Sequence, residues 1–255
     1  MQQSHPDPDT DIGGQRQAFP DTSHSAILAA KSDDHDERHR GFEAILTSYW
    51  KPVYKYIRLK WQASNEDAKD LTQGFFAVAI EKNYFAAYDP LRASFQTFLR
   101  TCLDRFIANH RKSERRLKRG GFASTFSLDF ENAEAEFTSQ QHNDQTTPEE
   151  YFYREWVRSL FTIAIETLRH RYDQQDRSVR FRLFEIYDLR EDHAPKPSYA
   201  ELGRQFGLST TYVNNSLAAA RRDFRSVVLE KLRDLTGSPE EFRREARDLL
   251  GMKIG

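Results

Sequence analysis

Cysteine is almost missing from this sequence: Cys102 is the only one among 255 residues. An intramolecular disulfide is therefore impossible, and the paired cysteines of zinc ribbons and thiol–disulfide enzymes are excluded. Cys102 falls within the apolar stripe of a predicted helix, which favours a buried structural thiol over a nucleophile. The cysteine content fits a protein of a reducing compartment.

Long apolar runs are also missing, and no stretch is long enough to cross a lipid bilayer. Residues 1–20 are polar and lack the basic start and apolar centre of a secretory signal. We therefore expect a cytoplasmic protein with no membrane partner. Aromatic residues, by contrast, reach 13%, with 19 phenylalanines, which is too many for a disordered chain.

Neither sign of charge is in excess, because 38 basic and 39 acidic residues give a formal net charge of -1. A sum near zero is unusual for a dedicated nucleic-acid-binding protein, but phosphates respond to local clusters. Residues 110–119 (HRKSERRLKR) form such a cluster, with Glu114 as its one acid. Its density of bases exceeds what the end of a helix dipole requires, so attraction to phosphates is the better interpretation.

Signatures of catalysis are missing as well. The sequence has no glycine-rich phosphate-binding loop and no nucleophile elbow. His35 and His39 have the i, i+4 spacing of metal ligands on a helix, but no glutamate directly follows the first histidine, as zinc proteases require. A solvated run of charge explains this pair better. We expect no enzymatic activity, no metal site and no cofactor.

The hydrophobic pattern is helical, because no segment shows sustained strand alternation flanked by turn signals. We predict an all-α fold of two helical domains joined by a long linker. We expect residues 1–38 to be a disordered leader with a short ordered piece at 26–30, and residues 39–119 to form the first domain. A polar, flexible linker at 120–148 leads to the second domain at 149–250.

The first domain contains an acidic helix. Ser64 is a predicted N-cap, and apolar residues follow it at helical spacing. Another face of that helix carries Asp67, Asp70, Gln73 and Gly74. Such a face suits docking on a basic partner surface, although on pattern alone a solvated face with acids near the helix start is the simpler interpretation.

The second domain contains a helix-turn-helix pattern at 198–225. Ser198 and Glu201 form a capping box, Gly207 provides a tight turn, and Ser209 caps a second helix. That helix is polar at its start and basic further on, which suits base edges and phosphates respectively. A structural helical hairpin is the alternative. The predicted DNA contacts are Thr211, Tyr212, Asn214, Asn215, Arg221 and Arg222.

Together these motifs resemble the extracytoplasmic-function sigma factors, a family of bacterial RNA polymerase subunits. Residues 67–76 (DAKDLTQGFF) are similar to the family's polymerase-docking helix, and residues 89–111 to the segment that melts and reads the minus-ten promoter element. Residues 199–222 are similar to the module that binds the minus-thirty-five element. The similarity extends from about residue 19 to residue 250, and the long connection resembles that of a subgroup with an extended linker.

The resemblance implies a factor that directs core RNA polymerase to promoter DNA and initiates transcription without chemistry of its own. The acidic face of residues 67–74 would contact the polymerase. In the minus-ten segment, aromatic side chains would stack on unpaired bases and arginines would follow phosphates. An anti-sigma or other regulatory protein is a further partner that the resemblance allows. The implied minus-ten contacts are Phe95, Phe98, Asn109, Arg111, Arg115 and Arg116.

The main alternative is a conventional regulator whose helix-turn-helix binds DNA by itself, with the first block serving in dimerisation or sensing. Such a protein would bind its DNA tightly without core polymerase. A simple regulator does not need an acidic helix followed by an aromatic and basic one, which favours the sigma interpretation.

Overall fold

The computed structural model describes residues 25–114, 127–139, 146–190 and 195–251. Every regular element within these ranges is helical, so the all-α prediction is confirmed. None of these helices combines the length and apolar character needed to cross a lipid bilayer. The α-helices are α1 (Ala26–Ala29), α2 (His35–Lys60), α3 (Asn65–Glu81), α4 (Phe95–Glu114), α5 (Phe130–Ser139), α6 (Pro148–Gln174), α7 (Ser178–Asp188), α8 (Tyr199–Phe206), α9 (Thr210–Asp234) and α10 (Pro239–Leu250), and a 3-10 helix spans Tyr84–Ala87 between α3 and α4.

Local capping sets the start of several helices. The Ser64, Ser198 and Ser209 hydroxyls each accept a hydrogen bond from a backbone N–H three residues further on, at the starts of α3, α8 and α9. Thr147 and Glu150 form a complete capping box at the start of α6. A cap of this kind stabilises a helix by about 1 kcal/mol. The three predicted serine caps are confirmed.

Helix α2 organises the first half of the molecule and packs against α1, α3, α5 and α6. Tyr49 lies in the middle of α2 and is completely buried. Its ring centroid is 5.5 Å from that of Phe95 on α4 and 6.3 Å from that of Trp156 on α6. Such ring pairs add to the free energy gained by burying apolar area. The high content of aromatic residues is therefore explained by a core in which aromatic rings pack against one another.

Helix α6 is shared by both halves of the molecule. Near its start Phe152 packs against Tyr56 of α2, with ring centroids 5.5 Å apart. Near its end the Tyr172 hydroxyl donates a hydrogen bond of 2.6 Å to Asp223 of α9. Buried apolar side chains of both halves form one continuous cluster. Packing therefore continues across the expected boundary, and the structure does not separate two domains. The division into two domains stays a prediction.

Part of the expected disordered leader is helical. Residues 25–38 contain α1 and the beginning of α2, and Ile27 on α1 is completely buried. Gly41 permits α1 to pack closely against α2, because a Cβ atom at position 41 would come within 2.4 Å of the Ala30 backbone nitrogen. The ordered piece predicted at 26–30 is confirmed, and the prediction of a disordered leader is corrected for residues 31–38, which contain the capped start of α2. Residues 1–24 lie outside the described residues.

The expected flexible linker also contains structure, since α5 lies within 120–148. Its Phe130, Ala133 and Phe137 side chains are buried at the spacing of one helix face. The Phe130 ring meets Trp50 of α2 edge-on, with centroids 5.4 Å apart. The prediction of a linker is therefore corrected for residues 127–139: three apolar residues at helical spacing outweigh a polar composition. Residues 120–126 and 140–145 lie outside the described residues.

Buried charge fixes α5 and α6 to α2. Lys55 of α2 has no exposed surface, and its Nζ lies 2.7 Å from Glu136 of α5 and 2.6 Å from Glu155 of α6. Lys51 adds a 2.8 Å contact to the same Glu136 carboxylate. A buried ammonium needs such partners, because an unpaired charge in the interior is strongly unfavourable. One lysine therefore joins three helices.

Acid should release α5 from α2. Burial by itself would raise the pKa of the Glu136 carboxyl, but hydrogen bonds from Lys51 and Lys55 outweigh burial and leave this pKa lowered. The pKa of Glu134 is likewise lowered, because hydrogen bonds from Arg58 and Tyr54 outweigh its burial. Such carboxyls contribute stability above their unfolded pKa of about 4.3, and the contribution is lost as the pH falls through the folded value.

We therefore expect the hydrogen-exchange protection of α5 to fall below about pH 4 before that of the middle of α9 does. Glu136→Gln should lower α5 protection at neutral pH and weaken its dependence on acid. Glu245 of α10 acts in the opposite direction, because burial raises its pKa and protonation then favours the folded state. If α5 and α9 lost protection together at every pH, the carboxylates would not be what anchors α5.

Candidate functional site

The acidic face of α3 is open to solvent in part. Asp67 and Asp70 are exposed, Gln73 is half-buried, and Gly74 is buried among the packed residues of the helix. Asp67 accepts a hydrogen bond of 2.7 Å from the Ser64 hydroxyl at the helix start. Asp70 is therefore the predicted contact best placed to meet a basic partner, while the location of Gly74 indicates a packing role.

The start of α4 is too deeply buried to contact bases as the minus-ten prediction expects. Phe95 has no exposed surface, and its ring packs edge-on against Tyr88, with centroids 5.2 Å apart. Phe98 is half-buried, with its ring 5.3 Å from Tyr88. The expectation that Phe95 stacks on bases is corrected for this conformation: the wide apolar stripe of α4 faces the protein core.

The far end of α4 presents a cation over an aromatic ring. The Arg111 guanidinium lies 4.8 Å from the ring centroid of Trp61 and donates a 2.8 Å hydrogen bond to the Trp61 carbonyl oxygen. Asn109 and Lys112, which lie close to Arg111 on the same helix, are exposed. Of the predicted contacts, Asn109 and Arg111 are therefore accessible, and Arg115 and Arg116 lie outside the described residues.

Trp61 is a candidate site residue that the sequence analysis did not select. It follows the last residue of α2, and its indole Nε1 donates a 3.1 Å hydrogen bond to Asp104 of α4. Its ring thereby holds a fixed orientation beneath Arg111. The sequence offered only a tryptophan three residues before the predicted cap Ser64, and the partner arginine is 50 residues away.

The predicted helix-turn-helix consists of α8, a three-residue turn and α9. Gly207 ends α8 with φ of 66°, a left-handed conformation that glycine adopts readily. Gly203 allows the turn to approach α8, because a Cβ atom there would lie 2.7 Å from the Leu208 carbonyl oxygen. The first turns of α9 are exposed on one side. The accessible predicted contacts there are Thr211, Tyr212, Asn214 and Asn215.

The two predicted arginines of α9 differ in their environment. Arg221 donates hydrogen bonds of 2.9 and 3.0 Å to the Asp188 carboxylate of α7, and its guanidinium lies 5.5 Å from the Tyr187 ring centroid. The hydrogen bond to Asp188 raises the pKa of Arg221. Arg222 is exposed. Arg221 therefore joins α9 to α7, whereas Arg222 is available to a phosphate.

Groups that could support metal or thiol chemistry are not brought together in the described residues. No set of three or more histidine, cysteine or acidic side chains is placed to hold a metal ion there. The His35 and His39 rings stack with centroids 6.4 Å apart. Cys102 is half-buried, and burial raises the pKa of its thiol, which lowers its nucleophilicity at neutral pH.

Comparison of the chain with protein families, curated proteins and solved structures finds no match. Three surfaces of the described residues are placed to meet another molecule: the acidic face of α3, the basic end of α4 and the polar tip of α9.

Proposed function

We propose that this protein is a sigma-type factor that brings bacterial core RNA polymerase to promoter DNA. The observation that carries the proposal is the exposed polar tip of α9, which follows a capped α8 and a left-handed glycine turn. This arrangement suits a recognition helix, whose first residues reach base edges in the major groove. The exposed acids of α3 in the same chain supply a surface for a basic protein partner.

The basic end of α4 is the second DNA contact in this proposal. Unpaired bases stack on aromatic rings, and arginines follow the phosphates between them. Trp61 and Arg111 offer both chemistries within 4.8 Å of each other. In contrast to the sequence prediction, the aromatic contribution comes from Trp61 at the end of α2, because Phe95 is buried.

Attachment at two DNA elements requires a defined reach between them. The chain between the two sites includes α6, whose 27 residues span about 40 Å at 1.5 Å per residue. A rigid helix holds two binding surfaces at a more constant distance than a flexible linker does. We therefore propose that α6 sets the distance between the two protein surfaces that contact the promoter elements.

Transcription in vitro tests the proposal directly. Purified protein is added to core polymerase that lacks every other specificity subunit, with a library of promoter sequences as template. We expect initiation at a defined subset of start sites that share minus-ten and minus-thirty-five elements. Failure to confer start-site selection on the core enzyme would overturn the proposal.

A stand-alone DNA-binding regulator is the second candidate, because the tip of α9 is exposed in the isolated chain and needs no partner to become accessible. The two functions differ in one measurable way. A regulator binds its operator tightly without polymerase, whereas a sigma factor binds its promoter specifically only together with core enzyme.

Arg222→Ala should weaken promoter binding by the polymerase complex and reduce the slope of log affinity against log salt by about one, the value for one lost phosphate contact. Arg221→Ala is the matched comparison, since it removes the same group from the neighbouring position. Because Arg221 is held by Asp188, its loss should lower stability by about 1 kcal/mol or less and change the salt slope less than Arg222→Ala does. Equal slopes for both variants and the wild type would remove Arg222 from the contact surface.

A further inference from the structure

The turn between the 3-10 helix and α4 is unusually exposed at its tip. Leu91 is 94% exposed, which is the largest value among the exposed large apolar side chains of the described residues. The neighbouring Arg92 side chain is 86% exposed and lies 3.3 Å from Asp89. The turn spans residues 89–94 and precedes the first residue of α4. An apolar side chain and an arginine therefore project together from the start of the segment assigned to the minus-ten element.

Both ends of this turn are held by one carboxylate from the far end of the chain. Glu241 of α10 accepts a 2.8 Å hydrogen bond from the Phe95 backbone N–H through Oε1. Through Oε2 it accepts a 2.9 Å hydrogen bond from the Tyr88 hydroxyl and one of 2.8 Å from the Gly237 N–H. Tyr88 precedes the turn and Phe95 follows it. The bonds to Tyr88 and Phe95 connect residues 153 and 146 positions apart in the sequence.

The surroundings of Glu241 leave it little freedom. Its side chain is 4% exposed, and the Ser238 hydroxyl accepts a hydrogen bond from its backbone N–H at the start of α10. Gly237 lies directly against the Tyr88 ring, where a Cβ atom would come within 2.5 Å of Cε1. On the other side, Lys31 donates a 2.9 Å hydrogen bond to the Tyr88 carbonyl oxygen. The position of Tyr88 is thus fixed by contacts with both chain halves.

We propose that Glu241 is a positioning residue for promoter contact, which fixes the exposed turn at 89–94 in the orientation that meets DNA. The inference rests on the proposed function. Without the carboxylate, the Phe95 N–H and the Tyr88 hydroxyl lose their buried acceptor, and burying unpaired polar groups is unfavourable. The turn then relaxes, and Leu91 and Arg92 no longer hold a single orientation toward a base and its phosphate. The last helix of the described residues therefore contributes to recognition of the minus-ten element through the shape of a turn that it does not contain.

The test uses Glu241→Ala in the full chain, with Glu240→Ala as the matched control. Glu240 is the adjacent acid of α10, its side chain is 74% exposed, and its ion pair is with Arg243 of the same helix. Two measurements are made: hydrogen exchange of residues 88–95, and transcription with core polymerase on libraries randomised separately at the minus-ten and minus-thirty-five elements. Glu241→Ala should raise exchange in this segment and reduce minus-ten discrimination about tenfold, the effect of one base-pair mismatch. Its minus-thirty-five preference should match that of the wild type, and Glu240→Ala should match the wild type in both.

Conservative variants separate positioning from general destabilisation. Glu241→Gln keeps one acceptor oxygen, so it should restore part of the minus-ten discrimination. Tyr88→Phe removes one hydroxyl from a residue that is 2% exposed, and it should cause a smaller loss in the same direction. If Glu241→Ala does not fold, Tyr88→Phe decides the question, and unchanged minus-ten discrimination in that variant overturns the inference.

The remaining outcomes are distinct. If the wild-type chain confers no start-site selection, the proposed function fails and the promoter role of Glu241 fails with it. If the wild type selects promoters and Glu241→Ala loses discrimination equally at both elements, or at neither, the proposed function stands and the inference about Glu241 is wrong.

Discussion

Replacing Lys55 with methionine should lower the free energy of unfolding by about 3–5 kcal/mol, the usual effect of removing one partner from a buried ion pair. Methionine has a similar length and needs no hydrogen bonds, so the cost comes from the carboxylates left behind. Glu155 has 1% of its side chain exposed and would keep only its 2.7 Å contact with Arg158. Denaturant unfolding, followed by circular dichroism, measures the change.

Lys51→Met is the matched control for Lys55→Met. Lys51 lies one helical turn earlier, is 24% exposed and shares the Glu136 carboxylate at 2.8 Å. Its loss should cost about 1 kcal/mol or less, because the pair is partly solvated. Combining Lys55→Met with Glu155→Leu should recover part of the lost stability, since the second change removes the stranded charge. Equal effects of the two lysine substitutions would mean that the buried charge is not what joins the three helices.

Charge reversal at Asp70 should abolish co-purification with core RNA polymerase. The side chain is exposed on α3, so Asp70→Lys places a cation where the proposed basic partner surface requires an anion. The free energy of unfolding should change by less than about 0.5 kcal/mol, as for most surface substitutions. Asp67 is a poorer choice for this test, because its carboxylate also bonds the Ser64 hydroxyl at the helix start.

The control for this experiment is Glu166→Lys, which reverses a 60% exposed acid on α6, away from the α3 surface in sequence and on another helix. It should bind core polymerase at the wild-type level. A pull-down at several salt concentrations distinguishes a weakened complex from a lost one. Recovery of Asp70→Lys with core enzyme at the wild-type yield would show that α3 is not the docking surface.

The sequence determined the features that depend on neighbours within a few residues. Ser64, Ser198 and Ser209 start helices because each hydroxyl satisfies an N–H three residues away, and that distance is fixed by the chain itself. The left-handed turn at Gly207 has the same local origin. The all-α class and the helix–turn–helix order followed from such signals together with hydrophobic period.

Tertiary structure decided which surfaces remain free. An apolar stripe predicts that a helix face is buried, but it does not identify the partner, so Phe95 was expected at DNA and lies in the core. Arg221 was expected on a phosphate; its side chain stays 45% exposed but pairs with Asp188, 33 positions earlier, so the phosphate contact stays a prediction. Polar and charged side chains pair with groups that are close in space, whatever their separation in the sequence. Only the folded structure brings Glu241 to Phe95, 146 positions away. Interactions between residues close in sequence therefore determined where the helices form, and tertiary packing determined which of their residues are exposed to another molecule.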